Sequence, residues 1–177
     1  MPKNAEKQVL EKSVDNIRLL SMDAHGLTFP DESFDVVTCR AAIHHFEDAR
    51  KVLAETHRVL RHEGFFILMD FCFSEISKGP LAALSRIRED DFRRYYTFHE
   101  YCDLLEGCGF SIDTVYTYTL PRFIREWAAA APVDIQERIV KAFLNLDEHI
   151  HSELRLTQQE DQFVMTYRIL EVVCQKS

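Results

Sequence analysis

Glycine is scarce in this sequence, which has five glycines among 177 residues. Gly107 and Gly109 form a Gly-x-Gly pair, but the pair follows a predicted helix and not a strand. Glycine turns after a strand let the backbone approach a ligand closely, and other residues substitute for them poorly. The sequence therefore contains no recognisable glycine-rich ligand loop.

Other shortages exclude several protein classes. No apolar run approaches the roughly 20 residues of a membrane span, and Met1–Asn4 lacks the apolar core of a signal peptide. The five cysteines form no CxxC pair and no Cys/His spacing of a zinc site, so we expect reduced thiols, no metal and a cytoplasmic location. The formal net charge of −8 argues against nucleic acid as the main partner. The four arginines between positions 86 and 94 have Glu89, Asp90 and Asp91 among them, as on a solvated mixed-charge helix face.

Apolar periodicity predicts an α/β fold with a parallel sheet. Short strands are predicted at Ile17–Met22, Phe34–Cys39 and Phe65–Met69. A helix capped by Asp48 and stopped by a left-handed Gly64 connects the last two. Strand, helix and strand with short connections are typical of a right-handed βαβ crossover.

The rest of the chain predicts more helices and two further strands. The predicted segments are a helix at Leu81–Arg88, a capping box at Thr97–Glu100, a strand at Ser111–Leu120, a helix at Pro121–Ala131, a second capping box at Asp134–Glu137 and a strand at Phe163–Cys174. The segment Asn4–Val14 is predicted to be the last part of an amphipathic helix. We interpret the chain as a single domain with a core at 1–120, a helical insertion at 121–160 and a final strand at 161–177.

Polar residues follow three of the predicted strands, at Asp23, Arg40 and Asp70. Ligands bind at the carboxyl ends of strands in open parallel sheets. A carboxylate such as Asp23 could accept a hydrogen bond from an exocyclic amine. It could equally cap the turn from Asp23 to Gly26, and position alone does not decide between these roles.

The stretch Asn16–His45, NIRLLSMDAHGLTFPDESFDVVTCRAAIHH, resembles the middle of a class I S-adenosylmethionine-dependent methyltransferase. The resemblance is to the small-molecule type that includes the ubiquinone/menaquinone methyltransferases, and it extends from Asn4 to Val115. It implies a Rossmann-like fold, the cofactor S-adenosylmethionine and a small-molecule acceptor. His62 and Glu63 depart from it, because proline and glycine are usual in that turn.

The resemblance also implies roles for individual residues. Asp23 and Ala24 would line the adenine and His25 would flank it, while Arg40 would approach the methionine part of the cofactor. His45 would contact cofactor or substrate, acting as a base.

Several of these residues could instead have purely structural roles. Arg40 could pair with Asp35 or Asp48, and one histidine of the pair at 44–45 could have a packing role. Aromatic residues could wall an apolar acceptor pocket or belong to the core; they are Phe71, Phe73, Tyr95, Tyr96, Phe123 and Trp127.

The family's first two strands and its glycine-rich loop have no counterpart in the sequence. We therefore expect a truncated methyltransferase in which Ile17–Met22 lacks a neighbouring strand and the next strand has an open edge. That edge predicts a homodimer or a complementing N-terminal fragment. The alternatives are an inactive methyltransferase-like binding or regulatory module that acts through this edge, or an unrelated α/β domain.

Overall fold

The computed structural model describes residues 2–12 and 15–177. Its strands form one mixed sheet, and helices connect them in an α/β arrangement. The helices are α1 (Pro2–Glu11), α2 (Ala49–Val59), α3 (Glu75–Arg88), α4 (Phe98–Glu106), α5 (Ile124–Ala128), α6 (Val133–Leu144) and α7 (Glu148–Glu153). The strands are β1 (Phe34–Arg40), β2 (Leu60–Phe71), β3 (Phe110–Phe123), β4 (Thr157–Gln159) and β5 (Gln162–Lys176). None of these helices is long and apolar enough to cross a membrane.

The sheet has the order β1-β2-β5-β3, and β4 pairs with the beginning of β5. β1 and β2 run parallel and are joined by α2, as the sequence predicts for a βαβ crossover. β5 is antiparallel to both β2 and β3. This topology confirms the predicted α/β, Rossmann-like fold class.

Two hydrophobic clusters hold the helices to the sheet. The first lies under α2 and α4 and includes Leu53, Phe66 and Leu105, which are almost fully buried. The second gathers α3, α5, α6 and α7 against the first half of β5, around residues such as Phe143. The helices between β3 and β5 therefore extend the domain at one end of the sheet.

The face of the sheet opposite the first cluster is only partly covered, and we call it the open face. Cross-strand register places the following residues on it: Val36, Thr38, Arg40, Phe65, Ile67, Met69, Glu171, Val173, Tyr116, Tyr118 and Leu120. Val36 is 50% exposed and Tyr116 is 48% exposed. Parallel strands are normally covered on both faces, so an uncovered apolar face is unusual here.

The predicted strand at Ile17–Met22 is wrong. These residues have no regular secondary structure, and Ile17, Leu19 and Leu20 are exposed. A strand needs a neighbour to satisfy its backbone groups, and β1 pairs only with β2 among the described residues. Val14, at the predicted end of the first helix, lies outside the described residues.

The turn into β2 also differs from the prediction, because Gly64 is not left-handed. Glu63 has the positive φ of 61° instead. Gly64 is required for another reason: a Cβ there would lie 2.9 Å from the carbonyl oxygen of Arg61 and 3.0 Å from that of Asp35. Close backbone packing between β1 and β2 therefore explains this glycine.

Three helix starts were predicted at the wrong residue. α3 begins at Glu75, behind the N-cap Ser74, and contains Pro80 within it. β3 continues to Phe123, so α5 begins later than predicted. The predicted capping box at Asp134–Glu137 does not form, since α6 begins directly after Pro132 and has no side-chain cap.

Candidate functional site

The carboxyl end of β1 is held in a strained turn. Ala41 follows Arg40 with φ of 47° and donates its N–H to the carbonyl of Met69 at 2.8 Å. A left-handed non-glycine residue costs roughly 1–2 kcal/mol. Such strain is often found at functional sites, and here it bends the chain into a short 3-10 helix at Ile43–His45.

Asp70, at the end of β2, anchors this helix. Its Oδ1 lies 2.6 Å from Nδ1 of His44, and its Oδ2 accepts the N–H of Ile43 at 3.0 Å. Both side chains are almost completely buried. Because a carboxylate oxygen accepts hydrogen bonds, Nδ1 of His44 is the donor in this contact. The pair therefore ties the end of β1 to the end of β2.

His45 has a more accessible side chain, which is 26% exposed. Its Nδ1 lies 3.4 Å from a carboxylate oxygen of Asp91 and its Nε2 lies 3.7 Å from one of Glu89. Nδ1 is buried and has no hydrogen-bond partner among the described residues. Of the two histidines, His44 is the packed one and His45 is the one a ligand can reach.

Asp23 caps its own turn. Its Oδ1 accepts the backbone N–H of His25 at 2.9 Å and lies 2.8 Å from the ring Nδ1. The backbone hydrogen bond from His25 is the main cause that lowers the pKa of Asp23. The carboxylate is 73% exposed, and Oδ2 makes no hydrogen bond with the described residues. Ala24 beside it is half-buried.

His25 joins the two groups of predicted site residues. Its Nε2 accepts the N–H of Asp48 at 3.4 Å, and its ring meets Phe46 edge-on at 5.7 Å. Phe46 directly follows the 3-10 helix that contains His44 and His45. The turn at Asp23 is therefore attached to the chain that leaves β1.

Arg58 and Glu55 on α2 hold the loop that connects the turn at Asp23 to β1. No sequence motif pointed to these two residues. Arg58 donates to the carbonyls of Leu27 and Phe29, each at 2.8 Å, and Glu55 accepts the N–H of Leu27 at 2.8 Å. The hydrogen bonds from Arg58 lower the pKa of Glu55 to about 2. A Glu/Arg pair at i,i+3 on a helix face beside a polar loop is the signal that could have found them.

Arg40 pairs with neither of its predicted alternatives. Asp35 contacts Arg61, and Asp48 accepts the N–H of Lys51 to cap α2. Arg40 instead lines an open cleft of about 390 Å³ at the carboxyl ends of β1 and β2. The cleft is lined by Arg40, Ala41, Met69, Asp70, Phe71, Tyr118, Thr119, Leu120, Ile169 and Glu171.

Most of the aromatic residues proposed as a pocket wall belong to the core. Phe73, Tyr95, Tyr96 and Trp127 are buried in the two hydrophobic clusters. Phe71 alone among the six lines the cleft. The cleft takes its other rings and aliphatic walls from β3 and β5, which the sequence did not indicate.

Comparison with known proteins relates the chain to methyltransferases. A family described as "Methyltransferase domain" matches residues 1–68. An uncharacterized methyltransferase of Bacillus subtilis, YcgJ, is 32% identical over 73% of this chain and 53% of its own length. The crystal structure of YcgJ has a TM-score of 0.88 and 26% identity over 99% of this chain and 78% of that chain.

A second relative is the ubiquinone/menaquinone biosynthesis C-methyltransferase UbiE of Rickettsia akari, 30% identical over 57% of this chain and 36% of its own. Geranyl diphosphate methyltransferase in complex with S-adenosylmethionine shares the fold, with a TM-score of 0.65 at 13% identity, over 99% of this chain and 64% of that one. The sequence matches cover about half the length of YcgJ and about a third of that of UbiE.

Proposed function

This chain is related in sequence and fold to the S-adenosylmethionine-dependent methyltransferases, and we propose that it is the C-terminal portion of such an enzyme, with a small-molecule acceptor. The observation that carries the proposal is the joined strand-end site. His25, in the turn at Asp23–His25, contacts Phe46 and Asp48, which follow the segment Arg40–His45 beyond the carboxyl end of β1. This is where open α/β sheets bind their ligands.

The residues fit one side of the cofactor. The free Oδ2 of Asp23 would accept a hydrogen bond from the adenine amine, with Ala24 and His25 beside the ring. Arg40 in the cleft would pair with the methionine carboxylate. The cofactor supplies a methyl group already activated by its sulfonium, so the protein's task is mostly positioning.

On the acceptor side we propose His45 as the base. Its imidazole is 26% exposed, with a carboxylate oxygen of Asp91 3.4 Å from Nδ1 and one of Glu89 3.7 Å from Nε2. His44 serves the site indirectly, because its contact with Asp70 fixes the helix that carries His45.

The glycine-rich part of the cofactor site comes from another chain segment in this proposal. β1 has an unpaired edge among the described residues, and the open face beside it is apolar. Both features suit a complementing N-terminal fragment or a second copy that adds strands to β1 and covers the face.

Equilibrium dialysis with radiolabelled S-adenosylmethionine tests the proposal. We expect weak or undetectable retention by the chain alone. Retention should appear when a separately expressed segment with the part of YcgJ that this chain does not cover is added, and Asp23→Ala should reduce it. A folded mixture that retains no cofactor at millimolar concentration would contradict an enzymatic role.

The open edge also favours a second candidate, a methyltransferase-like module that binds a protein partner and has no catalytic role. This candidate predicts partner binding through β1 with no effect of S-adenosylmethionine on that binding. The enzymatic proposal predicts that cofactor strengthens the association, because the two halves share the ligand.

A further inference from the structure

A second cleft, which we call the basic cleft, lies between α3 and the chain that follows it. Its volume is about 430 Å³, and the cations that line it are Lys78, Arg86, Arg93 and Arg94. Its lining contains no acidic side chain, although the chain as a whole has a formal net charge of −8. Positive charge is therefore concentrated at one place on an acidic protein, and the proposed function does not use it.

α3 provides two of these cations and the floor between them. Lys78, Ala82 and Arg86 follow one another at intervals of four residues, so they lie along one side of the helix. Gly79 also lines the basic cleft, and a Cβ at this position would meet nothing within 4 Å. The small residues therefore leave an open floor between Lys78 and Arg86, where a ligand has room.

Two of the arginines are held in place by uncharged groups. Arg86 donates to the carbonyl oxygen of Arg93 at 2.8 Å, and its guanidinium carbon lies over the Phe92 ring, 5.8 Å from the ring centre. Arg93 donates to the carbonyl oxygen of Asp90 at 3.3 Å. Neither arginine forms an ion pair in the described parts of the chain, so both charges are available to a ligand.

The other two cations connect the basic cleft to α4. Lys78 and Arg94 both contact Glu100, near the beginning of that helix. α4 packs in the first hydrophobic cluster, on the face of the sheet opposite the open face. No strand residue lines the basic cleft. A segment that covers the open face or pairs with β1 therefore leaves this cleft accessible.

We propose that the basic cleft binds a small phosphorylated ligand through its phosphate or diphosphate group. A guanidinium group matches phosphate oxygens with two parallel hydrogen bonds. Several cations at one place favour a compact group with more than one negative charge. The acidic surface elsewhere on the chain opposes a long polyanion such as nucleic acid. This assignment does not rest on the proposed function.

Two anions test the site without S-adenosylmethionine. Inorganic pyrophosphate carries the proposed group, whereas citrate carries its negative charges on separate carboxylates. In amide NMR titrations at equal ionic strength, pyrophosphate should shift the amides of Lys78–Arg86 and Arg93–Tyr95. It should bind about fivefold more tightly than citrate, because its oxygens are close enough together for several guanidinium groups to reach at once. Added salt should weaken the binding, because the cleft is open to solvent.

Variants assign the binding to the basic cleft. Arg86→Gln and Arg93→Gln should each weaken pyrophosphate binding about fivefold, because each removes a charge that no carboxylate neutralises. Gly79→Glu puts a carboxylate over the floor and should abolish binding, whereas Gly79→Gln has the same size and should reduce it less. Both replacements favour the helix, so the chain should remain folded. Arg138→Gln is the control, with the same charge change at an exposed position of α6.

Four results would overturn the proposal. They are no binding of pyrophosphate, equal affinity for pyrophosphate and citrate, shifts confined to other segments, and an effect of Arg138→Gln as large as that of Arg86→Gln. Co-sedimentation with vesicles of anionic phospholipid separates a further case. Attachment to the vesicles without binding of pyrophosphate would also overturn the proposal and would assign the basic surface to a membrane.

Discussion

At the scale of single residues, the adjacent histidines show how the environment separates two like side chains. His44 is inside the structure and bonded to Asp70, whereas His45 is reachable and faces two acidic side chains. Neighbouring residues on one turn point in different directions. The two histidines therefore have different surroundings, although they are adjacent and identical in the sequence. Asp70 decides the arrangement, because it accepts hydrogen bonds from Ile43, His44 and Phe71.

Replacing Asp70 with alanine should therefore lower the free energy of unfolding by about 3 kcal/mol, since it leaves buried polar groups without partners. Urea denaturation measures this change. Asp91→Ala is the control, because that side chain is 77% exposed and its loss should cost less than about 0.5 kcal/mol. If the two variants are equally stable, Asp70 does not anchor the turn.

At the scale of elements, the turn into β2 contains two special backbone positions. Glu63 has a backbone conformation that does not suit its residue type, and Gly64 has no room for a side chain. Glu63 has a left-handed backbone, where glycine is favoured, and Gly64 lies against two carbonyl oxygens. Glycine is usual at the position of Glu63 in the resembling family, and the φ of this residue gives the physical reason. Glu63→Gly should raise the free energy of unfolding by about 1 kcal/mol.

Gly64→Ala should destabilise the protein, because the new Cβ would approach backbone that cannot move without disturbing β1 and β2. Thermal unfolding compares the two variants directly. For a domain of this size, about 1 kcal/mol corresponds to roughly 2–4 °C in Tm. A lower Tm for Glu63→Gly, or an unchanged Tm for Gly64→Ala, would contradict this account of the turn.

The loop at Leu27–Asp31 should respond to acid through Glu55. The folded pKa of Glu55 is about 2, against an ordinary 4.5. A lowered pKa means that the contact is fully present above the unfolded value and is lost as the pH falls through the folded value. The amide shift of Leu27 should therefore titrate with a midpoint near 2. Glu55→Gln should remove this titration, and a midpoint near 4.5 would show that the bond is not formed.

Sequence signals that act within one element predicted that element well. A prediction that depended on pairing with another strand failed. Phe34–Cys39 and Phe163–Cys174 form strands almost as predicted, because each has a strand to pair with: β2 for the first, and β2 and β3 for the second. Ile17–Met22 has the same kind of composition but no partner strand, and propensity alone does not make a strand. The Thr97–Glu100 capping box was predictable because both of its hydrogen bonds are local.

The candidate site was partly predictable for the same reason. The end of β1 follows from strand position, whereas the turn at Asp23 was predicted to follow a strand that does not form. The roles of Asp70 and Arg58 depend on contacts between residues distant in the chain, at 26 and 29 positions respectively. The cleft depends on the register of four strands, which no short motif records.

At the scale of the whole molecule, the main feature is the uncovered side of the sheet. The β1 edge, the apolar open face and the exposed Ile17, Leu19 and Leu20 together form a surface that water solvates poorly. We expect the chain to self-associate through this surface when no complementing segment is present.

Val36→Lys should reduce this association, because a charge on an edge strand opposes strand pairing. Size-exclusion chromatography with light scattering over a range of concentrations measures it. Val133→Lys is the control, because Val133 is 85% exposed on α6 and its replacement should change nothing. A monomer at every concentration would contradict pairing between copies.

The most direct test of the central claim is an amide NMR titration of this chain with S-adenosylmethionine, which detects even millimolar binding. We predict shifts concentrated at Asp23–His25 and Arg40–His45. Asp23→Ala should weaken binding by roughly 1–3 kcal/mol through the lost hydrogen bond. No shifts up to the highest soluble concentration, or shifts confined to α5–α7, would contradict the claim that the Asp23 turn and the end of β1 form part of a cofactor site.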